Sequence, residues 1–410
     1  MSKAYIVAGL GFGDEGKGQI TQGLCRIHNI KTIVRYNGGP QAGHNIVLAD
    51  GRHHSFAQFG AGTFDPQITT HLSRYMMIEP YAMLNEAHAL SKKGVTWALD
   101  NLAIDPECII ITPWHWMLNQ AREMSRGSAK HGSCGMGVGE CKAMALEGLA
   151  LRAKDIGTPN ALALLKMIKS NALGKMHDIF QDMPYDRIAI FDKDSAMVAM
   201  VDEHIPFVNA FYESWLQQIK IAKLEKAAIT DGIVMEGAQG VLLDEDWGFA
   251  PHNTWSKTTF DNGLILAKEL ELTPVKVGVI RTYATRHGAG PFPTEDKSYA
   301  YADHNKTNEY QDNFRQGPFD AVMFIYALRA CNGIDELALT HVDKLHSNWQ
   351  ACTSYTSEEC FPVAGVWDSA MLNKIKPNIQ RVYLLAKLRT HKLRYISDGQ
   401  FVECVREIQQ

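Results

Sequence analysis

The 410-residue chain predicts an α/β fold with a mostly parallel central sheet, helices on both faces and a P-loop-like site near its start. Three observations predict it. An apolar run leads into a glycine loop and then a helical pattern, several later apolar runs end in polar loops, and helical patterns lie between them. Tyr5 to Leu10 is the first run and reads as a buried strand. Gly11 to Gly18 (G-F-G-D-E-G-K-G) is the loop, and Gln19 to Ile27 carries Ile20, Leu24 and Ile27 at helical spacing. Lys31 to Tyr36 reads as a second strand. Gly232 to Met235, Val275 to Ile280 and Glu336 to Thr340 read as further strands, with helices expected over Ser214 to Ala228 and Phe319 to Ala330. Polar groups at the ends of parallel strands are where open α/β sheets bind ligands.

Composition narrows the class. Apolar residues are 46% and charged residues 21%, a globular mix that excludes a disordered chain or a coiled coil. The net charge of −4, from 41 basic and 45 acidic residues, gives no electrostatic case for nucleic-acid or membrane partners. No apolar run reaches the ~18 residues of a membrane span, and the first residues run into the glycine loop rather than reading as a signal peptide. The eight cysteines form no C-x-x-C pair, so they read as thiols of a reducing compartment, and a cytoplasmic location is expected. No repeat or clear linker divides the chain. One domain over residues 1–410 is expected, with residues 128–203 as an insertion or mobile lid.

The glycine loop fits G-x-x-x-x-G-K, but Gly18 lacks the hydroxyl that usually follows the lysine and reaches Mg²⁺. Lys17, backbone amides and the helix N-terminus suit anionic oxygens. Asp14 and Glu15 are odd there, because carboxylates repel phosphate. One reason for Asp14 is that it holds Mg²⁺ and handles a substrate proton. In the next loop, glycines around His44 suggest backbone close to a ligand.

D-E-G-K-G at Asp14 to Gly18 and A-G-H at Ala42 to His44 resemble the adenylosuccinate synthetase family. Further matches follow in order: E-G-A-Q-G-V-L-L from Glu236, T-R-H-G-A-G-P-F-P-T-E from Thr285, T-H-V-D from Thr340, and Ser397-Asp398-Gly399. On these the chain is identified as a member. The resemblance implies a GTP-dependent ligase that joins L-aspartate to C6 of IMP through a 6-phosphoryl intermediate, with Mg²⁺ and a homodimer. It implies Asp14 as base, His44 as acid, and Gln239 aligning the purine. Asp14 and the Gly43 carbonyl would ligate the metal. Gly13, Glu15, Gly16, Lys17 and Gly18 would cradle GTP, with Arg315 and the base-recognising Thr340, His341, Asp343, Ser397 and Gly399. An Asp343 carboxylate matches guanine N1–H and N2–H, a pair that adenine lacks. Asp14, Lys17, Gln41, His44, Ser133, Cys134, Gln239, Leu243, Thr254 and His287 would contact the purine nucleotide, and Asn313 and Arg315 the amino acid.

The substrate loops depart from the family pattern. Of the arginines that precede its Gly-Trp-Leu-Asp segment only Arg315 remains, Cys134 stands for a phosphate-binding Thr, and His341 stands for a Lys. The arginine that reaches across the family's dimer has no match, with Lys142 or Arg152 as replacements. A second reading is the same chemistry on GMP or dGMP. Phage members that do this replace the base Asp with a small hydroxyl residue, whereas Asp14 is kept. A third is a GTP-binding regulator, which leaves Asp14, His44 and Gln239 without a purpose.

Overall fold

The computed structural model describes residues 2–127, 131–181, 204–301, 314–345, 349–356, 376–381 and 392–408. A ten-stranded sheet runs in the order Val405–Glu407, Leu393–Ser397, Glu336–Thr340, Thr273–Arg281, Lys3–Gly9, Ile233–Glu236, Thr32–Arg35, Thr69–Leu72, Leu102–Ile104, Lys220–Ile221. Every pairing in it is parallel except the last hairpin, Leu393–Ser397 with Val405–Glu407. The expected fold class is therefore the observed one.

Strand β1 (Lys3–Gly9) lies at the centre, and its sequence explains why. All but Lys3 are buried, as a parallel strand covered on both faces requires. Alternate residues feed two layers. Tyr5 and Val7 pack with Ile20 and Leu24 of helix α1 (Lys17–His28). Ala4, Ile6 and Ala8 pack with Leu266 and Ala267 of helix Asp261–Glu269 on the other face. Burying one such aliphatic side chain is worth about 1.5–3 kcal/mol, so the two layers fix the strand's orientation.

The expected strands sit within a residue or two of their observed bounds, and Glu336–Thr340 coincides. The helix expected over Ser214 to Ala228 is a correction. The helix is His204–Leu216, and the chain then forms an edge strand, Lys220–Ile221, paired with Leu102–Ile104. Tertiary pairing overrides a local helical pattern here. Within the stretch expected as an insertion, residues 131–181 are described. Helices Val138–Leu146 and Pro159–Gln181 bury Met144, Leu165, Ile168 and Met176 in one cluster with Leu72 and Ile104 of the sheet.

The carboxyl ends of five neighbouring strands converge at one edge. They carry the glycine loop, Arg35, Glu236, Arg281 and Thr340.

Candidate functional site

A cavity of about 560 Å³ opens at that edge. The glycine loop forms its floor. Glu15 explains how two carboxylates sit in such a loop. Its side chain is buried and turned beneath the loop, where it accepts from the Gly13 amide at 2.7 Å and from Lys17 Nζ at 3.0 Å. It therefore braces the turn and orients the lysine, and does not face the cavity. Asp14 does face it, from a left-handed backbone position at φ 65°. Gln239 lines the opposite wall, also left-handed at φ 56°. Such positions cost roughly 1–3 kcal/mol and cluster at functional sites.

Gly18 shows why the usual hydroxyl residue is missing. A Cβ there would stand 2.7 Å from His44 Cβ, so the first turn of α1 leaves room for the histidine. His44 begins strand His44–Val47, paired with strand His53–Phe56. Its Nδ1 lies 2.5 Å from Glu236 Oε1, and both side chains are buried. Glu236 Oε2 accepts from the Ala61 amide at 3.0 Å. Arg35, beside Glu236 in sheet register, donates to the Ala57 and Phe59 carbonyls. Burial opposes ionisation of Glu236, but His44, Arg35 and the Ala61 amide together hold its pKa below the usual carboxylate value. Burial lowers the pKa of His44, with Glu236 pulling the other way. A carboxylate facing a neutral imidazole makes Nδ1–H the donor to Glu236 and leaves Nε2 for a ligand.

Gln41, Gln239 and His287 bring to this cavity buried polar atoms without partners among the described residues: both carboxamide atoms of each glutamine, and Nε2 of His287. Leaving such groups unpaired costs about 1–3 kcal/mol each, so the cavity is chemically suited to a polar ligand. The turn that carries Gln239 is braced by Asn37. Asn37 accepts from the Ala238 amide at 2.7 Å and donates to the Ala238 carbonyl at 3.2 Å.

The structure gathers Gly13, Asp14, Gly16, Lys17 and Gly18 around the cavity. Gln41, Gly43, His44, Gln239, Leu243 and His287 join them, as do His341, Asp343 and Gly399. Others stand behind the wall. Thr340 is fully buried and donates to the Glu15 carbonyl, and Ser397 Oγ donates to the Gly399 carbonyl. Ser133 bonds Asn119 at 2.9 Å, while Thr254 donates its amide to the Leu243 carbonyl. Neither these nor Cys134, whose thiol pKa burial raises, lines the cavity. The Arg315 guanidinium pairs with Glu295 at 2.9 Å and donates to the Gly288 and Gly290 carbonyls. A direct contact with a substrate would require it to exchange Glu295 for that substrate's carboxylate. Asn313 lies outside the described residues. Arg152, suggested as a cross-subunit arginine, is held by Glu107 and its carbonyl.

Sequence reading missed Glu236, Arg35 and Arg281. Glu236 was legible as a carboxylate ending an apolar run and opening the E-G-A-Q-G-V-L-L motif, and not as the partner of His44.

Gly240 lies between this wall and the glycine loop. A Cβ there would stand 2.3 Å from the Gly11 carbonyl oxygen and 2.5 Å from the Gly13 nitrogen. Gly240→Ala is therefore expected to displace the loop. A stability loss of about 1–3 kcal/mol and weakened nucleotide binding should follow, read by thermal unfolding and calorimetric titration. A variant with unchanged binding would show that the loop position does not depend on this contact.

Comparison with known proteins agrees with this architecture. The adenylosuccinate synthetase family model matches residues 6–384. The adenylosuccinate synthetase of Mycobacterium bovis is 31% identical over 355 residues, covering 84% of this chain and 78% of that protein. The Desulfovibrio desulfuricans enzyme is 30% identical over 369 residues, covering 86% and 82%. Among solved structures, fully ligated adenylosuccinate synthetase from Plasmodium falciparum shares the fold, with a TM-score of 0.72 at 21% identity over 99% of both chains. Cyanophage S-2L succinoaminodeoxyadenylate synthetase, bound to dGMP and dATP, shares it with a TM-score of 0.61 at 16% identity over 100% and 96%. The chain belongs to the adenylosuccinate synthetase family.

Proposed function

We propose that this chain is a GTP-dependent carbon–nitrogen ligase that joins L-aspartate to C6 of IMP, giving adenylosuccinate, GDP and phosphate for purine nucleotide biosynthesis. The observation that carries the reading is convergence. Asp14, His44 backed by Glu236, and the unpartnered carboxamide of Gln239 face one cavity beside a glycine loop.

The chemistry follows from these groups. The six-oxo oxygen of a purine is a poor leaving group. Gln239 holds the base so that Asp14 takes the N1 proton, and negative charge builds on O6. O6 then bonds to the γ-phosphorus of GTP as the bond to the β-phosphate oxygen breaks and GDP leaves. His44 faces the transferring phosphoryl group, and Glu236 favours its imidazolium form as that charge arrives. The aspartate amine attacks C6, and the O6 phosphate departs with the C–O bond electrons.

Lys17, the amide of Glu15 and the amides of Gly13, Gly16 and Gly18 cradle the GTP phosphates. Gln41, Leu243 and His287 contact the purine nucleotide, with Ser133, Cys134 and Thr254 acting from behind the cavity wall. Arg315 reads the amino acid by releasing Glu295. Mg²⁺ suits the donor set. Among the described residues no three His, Cys, Asp or Glu side chains form a metal cage. One carboxylate, Asp14, with the Gly43 carbonyl and substrate phosphates is the arrangement that this ion favours. Bound there, it would neutralise phosphate charge.

A single domain over residues 1–410 is supported by one sheet whose strands run from Lys3 to Glu407. A homodimer is supported by Leu146, Met167 and Phe207, large apolar side chains exposed on three helices. Among the described residues no helix is long and apolar enough to cross a membrane, and a cytoplasmic site of action fits the purine substrates.

Asp343 selects guanine in this reading, with Thr340, Ser397 and Gly399 setting its pocket. Asp343→Asn replaces one acceptor by a donor that faces a guanine N–H. GTP discrimination should fall by about 1–3 kcal/mol, and xanthine, an acceptor at position two, should gain. The test is single-turnover formation of the succinylated purine from IMP, GMP or dGMP, with aspartate or other amino acids, under GTP, ATP and XTP. An ATP preference in the unmutated protein, or product from GMP but not IMP, would overturn the corresponding assignment.

A further inference from the structure

A second cavity, of about 470 Å³, shares no lining residue with the cavity around Asp14. Val34, Leu266 and Leu270, from the core layer beneath helix Asp261–Glu269, form its apolar wall together with Leu224. Its floor is polar. Leu72 of strand Thr69–Leu72 packs into the opposite layer, so His71 before it points to this face. Ala103 pairs with His71 in register, and Asp105 follows two residues on, which puts its side chain on the same face.

Both floor groups are buried and short of partners. His71 is 5% exposed, yet its ring makes no hydrogen bond among the described residues. Burial, with the Lys220 charge, pushes its pKa down to about 4, so the ring is neutral and offers one donor and one acceptor. Asp105 is 6% exposed, and one of its carboxylate oxygens accepts from the Glu107 amide at 2.9 Å. Among the described residues no cation stands within ion-pair distance of it. Buried polar groups are normally paired, so two such groups opening on one cavity call for a ligand that supplies N–H donors.

Charge limits the class. Three cations, Arg74, Lys223 and Lys226, and three carboxylates, Asp105, Glu225 and Glu269, line the cavity and cancel. Arg74 is moreover held by both oxygens of Glu269 at 2.7 and 2.8 Å, and Lys226 pairs with Glu271. A phosphate would meet no net positive field there. Four aliphatic side chains facing the polar floor favour a planar ring over an alkylammonium, and the volume is in the range of small-molecule sites.

We propose that this cavity binds an uncharged nucleobase or nucleoside that presents adjacent N–H groups to Asp105, as guanine does with N1–H and N2–H, while His71 completes its hydrogen bonding. The inference uses none of the residues of the proposed ligase chemistry and stands apart from it.

The test is calorimetric titration of guanosine into the full chain saturated with IMP and GDP, which blocks the cavity around Asp14. Guanosine should bind at a single site. Inosine, which lacks N2–H, should bind about tenfold more weakly, and GMP no more tightly than guanosine. Asp105→Asn keeps an oxygen for the Glu107 amide but turns a donor toward the ligand, so affinity should fall about tenfold or more. His71→Leu should weaken binding similarly while raising Tm, because it removes a buried polar group that has no partner. Asp14→Asn should leave guanosine binding as it is. Absence of binding up to about 1 mM guanosine would overturn the proposal, as would binding that IMP and GDP abolish or that neither Asp105→Asn nor His71→Leu weakens. Tighter binding of GMP would overturn the uncharged class, and equal binding of inosine the contact with Asp105. Failure of IMP itself to bind would instead overturn the ligase reading, with the Asp105 and His71 variants still deciding this one.

Discussion

Asp14→Asn is expected to lose turnover by about 10²–10⁴ while nucleotide binding is largely kept. The substitution isolates the charge. Asp14 holds a left-handed backbone at φ 65°, and asparagine is among the few residues that accept that conformation readily. The loop fold should therefore survive, since Glu15 and not Asp14 supplies its buried brace. What disappears is a group able to accept the N1 proton at neutral pH, together with one anionic contact for the metal. The measurement is single-turnover product formation beside calorimetric GTP and IMP binding. Near-normal turnover would exclude Asp14 as the base. A parallel collapse of GTP affinity would make it a metal-binding residue first.

The central sheet was legible because its strands are buried on both faces and read as continuous apolar runs, as at Tyr5 to Leu10 and Glu336 to Thr340. The glycine loop was legible because its chemistry is contiguous in sequence. What failed to show were side-chain directions and relations between distant segments. Glu15 looked like a phosphate contact, yet its carboxylate turns inward to Gly13 and Lys17, a direction that sequence spacing does not encode. The missing hydroxyl at Gly18 looked like a weak match, but it is a packing consequence of His44, 26 positions away in the chain. Arg315 looked like a substrate contact, and its donors hold the Gly288 to Gly290 turn. The helix expected over Ser214 to Ala228 failed because the sheet edge recruited Lys220 and Ile221. Apart from Glu15, whose partners stand two residues away, a long-range partner decided the outcome over a local pattern.

The pairing of His44 with Glu236 has the same character, and it leads to the second large expectation. His44→Asn should reduce turnover by about 10²–10³ with a smaller effect on GTP affinity, the usual loss when one charge-stabilising donor is removed. Asparagine is the informative replacement, because its amide can still donate to Glu236 and so avoids stranding a buried carboxylate. Glu236→Gln should cost about 10–100-fold through the histidine alone. Burial already lowers the pKa of His44 and the Glu236 charge opposes that, so removing the charge should lower it further. The limb of the pH profile for kcat that reports the imidazolium should then move to lower pH. Since Glu236 acts only by holding and charging His44, the double variant should be little worse than His44→Asn by itself. Multiplicative losses in the double variant, with an unmoved pH limb, would mean that Glu236 stabilises the Ala61 and Arg35 layer of the fold and has no part in setting the state of the histidine.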